Sequence, residues 1–302
     1  MATNTLRPPA GGMGDTLPRY MWRRAISPEV RDRIDRLELP FNRWGLDPYG
    51  ISKDHLGLFL TVLGQAHKHY FRLRAHGVEN VPAHGPAMLV SNHSGGLPTD
   101  GSMILASIFF DREPPRLAHG MVEKFAQSMP FMGPWFSRVG QLPGLPEHAK
   151  RLLLDGRLLM VFPEGARGTG KLYRDRYQLV RFGTGFMRIA LETKVPIVPI
   201  AFIGGEEAIP TIYHAKGLAK LLNAPYVPVT PYLLPIPLPV HCEVHYGEPM
   251  KFEGTGNEPD NVIDGYVAQV KERVEELIAV GRGSRARGLA DLEHQSEGME
   301  AE

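Results

Sequence analysis

Apolar runs of strand length decide what this chain can fold into. Residues 158–162 (Leu-Leu-Met-Val-Phe) and 195–203 form two of them, 240–246 a third, and Ala87–Ser91 adds a shorter one. A strand buried on one face alternates apolar and polar residues. Near-continuous apolar strands separated by helices indicate a parallel sheet covered on both faces. Helical patterns fill the gaps. Residues 146–155 form a short helix stopped by Gly156, and Gly185–Thr193 forms another. Residues 260–280 keep one apolar face through Ile263, Val267, Val270, Val274 and Leu277. Further strands are expected at 71–75 and 116–118, and a helix around Lys124. The fold class is therefore α/β, a mainly parallel sheet with helices on both faces. In such sheets functional residues sit just past the carboxyl ends of the strands.

Before the sheet the sequence predicts a helical extension over 21–70. Ser27-Pro28-Glu29 opens a helix to Leu37, with serine as N-cap and proline in the first turn. A longer helix over 51–70 carries Leu56, Phe59, Leu60 and Leu63 at spacings of three and four. Its basic neighbours Lys68, Arg72 and Arg74 suit either a membrane-interface helix or a helix packed on the sheet. Residues 1–20 read as a disordered arm, 71–280 as the main domain and 281–302 as a charged tail. Glycine (33) and proline (27) make up a fifth of the 302 residues, against roughly 12% in an average chain. Six of those prolines crowd into 225–239, an apolar stretch that can form neither regular helix nor central strand. It suits a lipid-contacting segment or an extended arm over the core.

Several classes are disfavoured. No run of 18 apolar residues is present, which argues against a membrane-spanning helix. The N-terminus lacks a signal-peptide core, so a cytoplasmic location is expected. A formal net charge of +1 gives no basic excess for nucleic acid. Cys242 alone cannot support a disulfide framework. The histidines show no HExxH spacing, and no metal site is expected.

Two strand ends carry chemistry. After Ser91 come Asn92, His93 and Ser94, and then Gly95, Gly96, Pro98 and Asp100. A neutral imidazole can take a proton from an alcohol, and a carboxylate on its other nitrogen fixes the tautomer. On one continuous helix His93 and Asp100 would lie about 10 Å apart along the axis. Only a fold-back before a helix starting near Asp100 brings them together. The other reading makes Thr99 or Asp100 a helix cap and His93 a polar loop residue. The strand at 158–162 runs into Pro163-Glu164-Gly165-Ala166-Arg167-Gly168. Here Glu164 and Arg167 can meet a substrate's hydroxyl or phosphate groups, or form a surface ion pair. Residues 165–171 also fit the first seven places of a nucleotide-binding P-loop, but Leu172 stands where a Ser or Thr should hold magnesium. Ser94 lacks the Gly-x-Ser-x-Gly elbow of serine hydrolases.

Together, Asn-His with a following aspartate, Phe-Pro-Glu-Gly-x-Arg after a strand, and Val195-Pro196-Ile197-Val198-Pro199-Ile200 resemble the ordered blocks of the glycerolipid and lysophospholipid acyltransferases. The resemblance covers about residues 71–250 and is closest to a subgroup that includes neutral-lipid enzymes. It implies that His93 is a general base oriented by Asp100, and that Asn92, Glu164, Gly165 and Arg167 serve the substrate. It implies an acyl-CoA or acyl carrier protein donor, a glycerolipid or other lipid-alcohol acceptor, a membrane surface as partner, and neither metal nor bound cofactor. A non-catalytic lipid-binding relative is the alternative. Two departures stand out. Asp100 follows His93 by seven residues where the family usually has five. Pro146 stands where the family places a phosphate-gripping arginine, which points to an acceptor with a neutral head, unless Lys171, Arg174, Arg176 or Arg181 supplies the cation.

Overall fold

The computed structural model describes residues 24–94, 98–122, 132–221, 225–233 and 236–300, with the backbone alone for residue 221 and for 287–300. The expected arm at 1–20 and the helix around Lys124 lie outside these residues.

Nine strands are described: β1 (Arg74–His76), β2 (Ala87–Ser91), β3 (Ala118–Val122), β4 (Leu142–Pro143), β5 (Leu158–Val161), β6 (Ile197–Ile203), β7 (Tyr213–His214), β8 (Pro228–Val229) and β9 (Glu243–Tyr246). Seven of them form one sheet in the order β1-β9-β6-β2-β5-β3-β4. All neighbours run parallel except β6 and β9, which pair antiparallel. Five strands thus point one way and the β1–β9 pair points the other. The parallel core follows from the apolar runs. The reversal was not visible in them, because a strand buried on both faces shows no directional pattern.

The main helices are α1 (Pro28–Asp35), α2 (Lys53–Gln65), α3 (Thr99–Phe110), α4 (Met132–Arg138), α5 (Pro146–Leu154), α6 (Gly185–Thr193) and α7 (Asp260–Glu300). Alternation along β2 divides them between two faces. Leu89 points to a core shared with Val30, Ile34, Leu56, Leu60, Ile104 and Ile108 of α1, α2 and α3. Met88 and Val90 point to a second core with Leu152, Met187, Ile263 and Val270 of α5, α6 and α7. The N-terminal helices are therefore part of the main core.

The predicted helix over 51–70 is α2, capped by Ser52, followed by one π turn at Ala66–Tyr70. Its apolar stripe is buried: Leu56 and Leu60 are fully enclosed. The stripe packs on the sheet, which settles its two readings in favour of the core. Residues 260–280 are helical as expected, and α7 continues from there to Glu300. Of the proline-rich segment, Pro228–Val229 form β8 and residues 236–239 run as an extended strap. Leu238 N–H donates to Ala208 O, and Tyr70 and Arg72 hold the carbonyls of Pro237 and Pro239. Its apolar side chains Leu233 and Ile236 stay exposed.

Candidate active site

The carboxyl ends of β2 and β5, adjacent and parallel, bring the two sequence blocks together. After β2 the chain leaves the sheet and α3 begins at Thr99, directly behind Pro98. This is the fold-back that the longer spacing required. His93 Nδ1 lies 2.6 Å from Asp100 Oδ2. The same carboxylate oxygen accepts the Ser94 N–H at 2.8 Å, and Asp100 Oδ1 accepts the Gly101 N–H at 2.7 Å. Asp100 is wholly buried. A buried carboxylate beside Nδ1 favours the proton on that nitrogen and leaves the Nε2 lone pair as the basic one. The ring stacks on Phe162, with centroids 4.1 Å apart at 20°.

Nε2 has no hydrogen-bond partner among the described residues, and His93 lines an open groove of about 490 Å³. Its walls are largely apolar: Met121, Val122, Met160, Phe162, Pro163 and Phe186. The arrangement presents a base at the edge of an apolar channel, which suits a long hydrocarbon substrate.

Two expected substrate residues do other work. The Asn92 amide accepts Phe202 N–H at 2.8 Å and donates to Phe202 O at 3.0 Å, so it stitches β2 to β6 where a substrate contact was expected. Glu164 is 2% exposed. Its Oε1 accepts the His93 N–H at 2.8 Å, and its Oε2 accepts Val180 N–H at 2.9 Å. Lys171 Nζ stands 3.3 Å from that second oxygen. Glu164 thus braces the backbone that carries the base. Gly168 makes the close approach possible, since a Cβ there would meet Glu164 Cβ at 2.6 Å and His93 Cβ at 2.9 Å.

Gly165 and Arg167 remain available to substrate. Gly165 lines the groove at φ +59°, in the left-handed region that favours glycine, and Arg167 is exposed one turn further on. The P-loop alternative fails on geometry. Residues Ala166–Thr169 form a single helical turn, and Lys171 turns inward between Glu164 and Glu206. Burial also removes Lys171 from the candidates to replace the family arginine. Arg174 pairs with Asp175 and Arg176 lies over the Tyr173 ring, both at the surface, and Arg181 is exposed as well. Pro146 itself opens α5.

The sequence reading missed Glu206. It is 3% exposed, stands 3.9 Å from Lys171, and accepts the Tyr177 N–H. Burial pushes its carboxyl up to about 7, although Lys171 pulls the other way. Nothing in the local pattern Gly204-Gly205-Glu206-Glu207 separates the buried glutamate from its neighbour. The native state holds this proton up to about pH 7, whereas an unfolded glutamate releases it near the ordinary value of 4.5. Stability from this group is therefore greatest below pH 4.5, falls as pH rises to about 7, and is flat above. The fall amounts to roughly 3 kcal/mol at 1.36 kcal/mol per pH unit. Glu206→Gln is expected to remove that slope in urea melts run from pH 5 to 8. Parallel slopes in variant and wild type would contradict it.

Comparison with known proteins places the chain. A profile of the family described as Acyltransferase matches residues 72–203. The uncharacterized protein Rv0502 of Mycobacterium tuberculosis is 35% identical over 265 residues, covering 84% of this chain and 72% of that protein. This chain belongs to the acyltransferase family. More distant relatives are named DGAT1/2-independent enzyme synthesizing storage lipids. The Gallus gallus protein is 28% identical over 205 residues, 67% of this chain and 58% of that one, and the Homo sapiens protein is 25% identical over 205 residues, 67% and 60%. Among solved structures, the 1-acyl-sn-glycerophosphate (LPA) acyltransferase PlsC from Thermotoga maritima aligns with a TM-score of 0.49 at 20% identity, over 74% of this chain and 81% of that chain.

Proposed function

We propose that the chain transfers a fatty acyl group from an acyl thioester, acyl-CoA or acyl carrier protein, to the hydroxyl of a glycerolipid or other lipid alcohol with an uncharged head. The observation that carries this is the 2.6 Å His93–Asp100 contact at the mouth of the apolar groove. His93 Nε2 takes the acceptor's hydroxyl proton as its oxygen attacks the thioester carbon. The tetrahedral intermediate then collapses, the carbon–sulfur bond breaks, and the imidazolium returns the proton to the leaving thiolate. The products are an ester and a free thiol. No covalent acyl-enzyme forms, and neither metal nor bound cofactor takes part. Gly165 belongs to the acceptor site. Arg167 meets a phosphate at the rim, including those of a CoA donor.

The uncharged head rests on Pro146 in the family arginine's place and on the burial of Lys171; Arg174, Arg176 and Arg181 are exposed, and they are the cations that selective acylation of lysophosphatidate would bring in. The names of the storage-lipid relatives support the same choice. No helix among the described residues is long and apolar enough to cross a membrane. As part of the same proposal, insoluble acceptors are met at a membrane surface on the cytoplasmic side. The exposed side chains Ile212, Tyr213, Leu233 and Ile236, on the antiparallel β7–β8 pair and in the segments next to it in sequence, are the ones suited to it.

The test is thiol release from palmitoyl-CoA and from palmitoyl carrier protein, with acceptors presented in liposomes and products identified by mass. Monoacylglycerol or diacylglycerol is expected to exceed lysophosphatidate and glycerol 3-phosphate as acceptor. Selective acylation of lysophosphatidate would overturn the uncharged-head assignment. Release that needs no acceptor would mean thioester hydrolysis in place of acyl transfer, and none with either donor would favour a lipid-binding role.

A further inference from the structure

We propose that His76, Glu243 and His245 form a binding site for a divalent transition-metal ion of the zinc type, apart from the catalytic groove. The sheet register assembles it. Parallel pairing of β1 and β9 sets His76 directly opposite His245, and Glu243 lies two residues before His245, so all three share one face. Each offers one ligand atom, and the three atoms lie within 4.8 Å of one another. Glu243 Oε2 is 3.0 Å from His245 Nε2 and 3.4 Å from His76 Nε2. Ligands at zinc bond lengths of about 2.0–2.2 Å stand roughly 3.3–3.5 Å apart in a tetrahedron. Two of the three separations are already close to that spacing.

The donor set selects the ion. Two imidazoles and one carboxylate suit zinc, cobalt or nickel, whereas calcium and magnesium want a shell of oxygens. The site is rigid on one side and open on the other. Glu243 and His245 are buried, and α7 closes over the His245 ring at Gly281. A Cβ there would lie 2.8 Å from His245 Nε2. His76 is 44% exposed, which gives an ion its entry path and leaves water a fourth position. The two rings stack at 4.5 Å and 14°, so binding requires His76 to turn toward a common centre. An exposed imidazole makes that turn readily, because its outer torsion is broad. Arg74, opposite Glu243, and Arg285 of α7 also act on the cluster, and they favour modest over extreme affinity. The site lies two to three strand positions from β2, about 10–14 Å at 4.7–4.9 Å per strand. It acts as a pin joining the edge strand to β9.

The test uses the full untagged chain, stripped with chelator and titrated with zinc by calorimetry, and with cobalt by visible absorption. One ion per chain and tetrahedral cobalt bands are expected. Zinc at a hundredfold over its dissociation constant should raise Tm by roughly 5 °C. His76→Ala removes an exposed ligand at little risk to folding, and it should weaken zinc at least tenfold and cut the Tm rise at the same zinc concentration to about half or less. His84→Ala, an exposed imidazole paired with Glu38, should bind zinc as wild type does, and so should His93→Ala. Absence of stoichiometric binding in wild type, undiminished binding in His76→Ala, or loss of binding in His93→Ala would each overturn the assignment.

Discussion

His93→Gln is expected to lower kcat/KM for acyl transfer by about 10²–10⁴-fold while leaving the fold intact. Glutamine has no basic nitrogen, so the acceptor hydroxyl keeps its proton. Its amide can still donate toward Asp100, which keeps the buried carboxylate partnered. His93→Ala should lose as much activity, together with some stability. Alanine gives up the bond to Asp100 Oδ2 and the stack on Phe162. Asp100 keeps its two backbone donors, Ser94 N–H and Gly101 N–H, so that stability loss is held to about 1–3 kcal/mol. The glutamine variant therefore separates the two roles. Thermal melts should show it near wild type while thiol release is nearly gone. Turnover close to wild type in His93→Gln would place the base elsewhere.

The second large effect concerns Glu164, and it is an effect on stability. Glu164→Ala strips acceptors from His93 N–H and Val180 N–H and takes the near carboxylate from Lys171. Lys171 is 5% exposed and would be left with Glu206 at 3.9 Å and Gln178 O at 3.2 Å. Breaking a buried ion pair by removing one partner costs about 3–5 kcal/mol, and here two backbone donors are orphaned as well. A fall in Tm on the order of 10 °C is expected. A residue whose task is to hold substrate would behave differently, with an unchanged Tm and a raised KM. That second outcome would return Glu164 to the acceptor site.

These two residues show how far the sequence could be read. His93 and Asp100 were legible because their chemistry is local to one strand end, and the glycines and proline between them already hinted at a fold-back. Glu164 was visible as a charged residue past a buried strand. The direction its oxygens face was not, because that depends on Val180 and Lys171 arriving from a loop whose path no periodicity sets. Asn92 was hidden for the same reason, since its partner Phe202 sits on another strand. The strands of the parallel core could be read as apolar runs, and α2 as an amphipathic helix. What α2 packs against could not, because a stripe of leucines suits a lipid surface or a core equally well. The histidine–glutamate cluster left no spacing signature at all, because its ligands come from opposite ends of the domain and meet only through the sheet register.

That register also governs the order in which the chain can be completed. β1 has one neighbour, β9, and Arg74 waits for Glu243. During synthesis every other strand of the seven emerges before the one that seats the first. The parallel core from β2 to β6 can assemble earlier, while β1 keeps an open ladder throughout. A chain stalled before β9 would leave the first strand unpaired, an exposed edge of the kind that invites another chain to add to it.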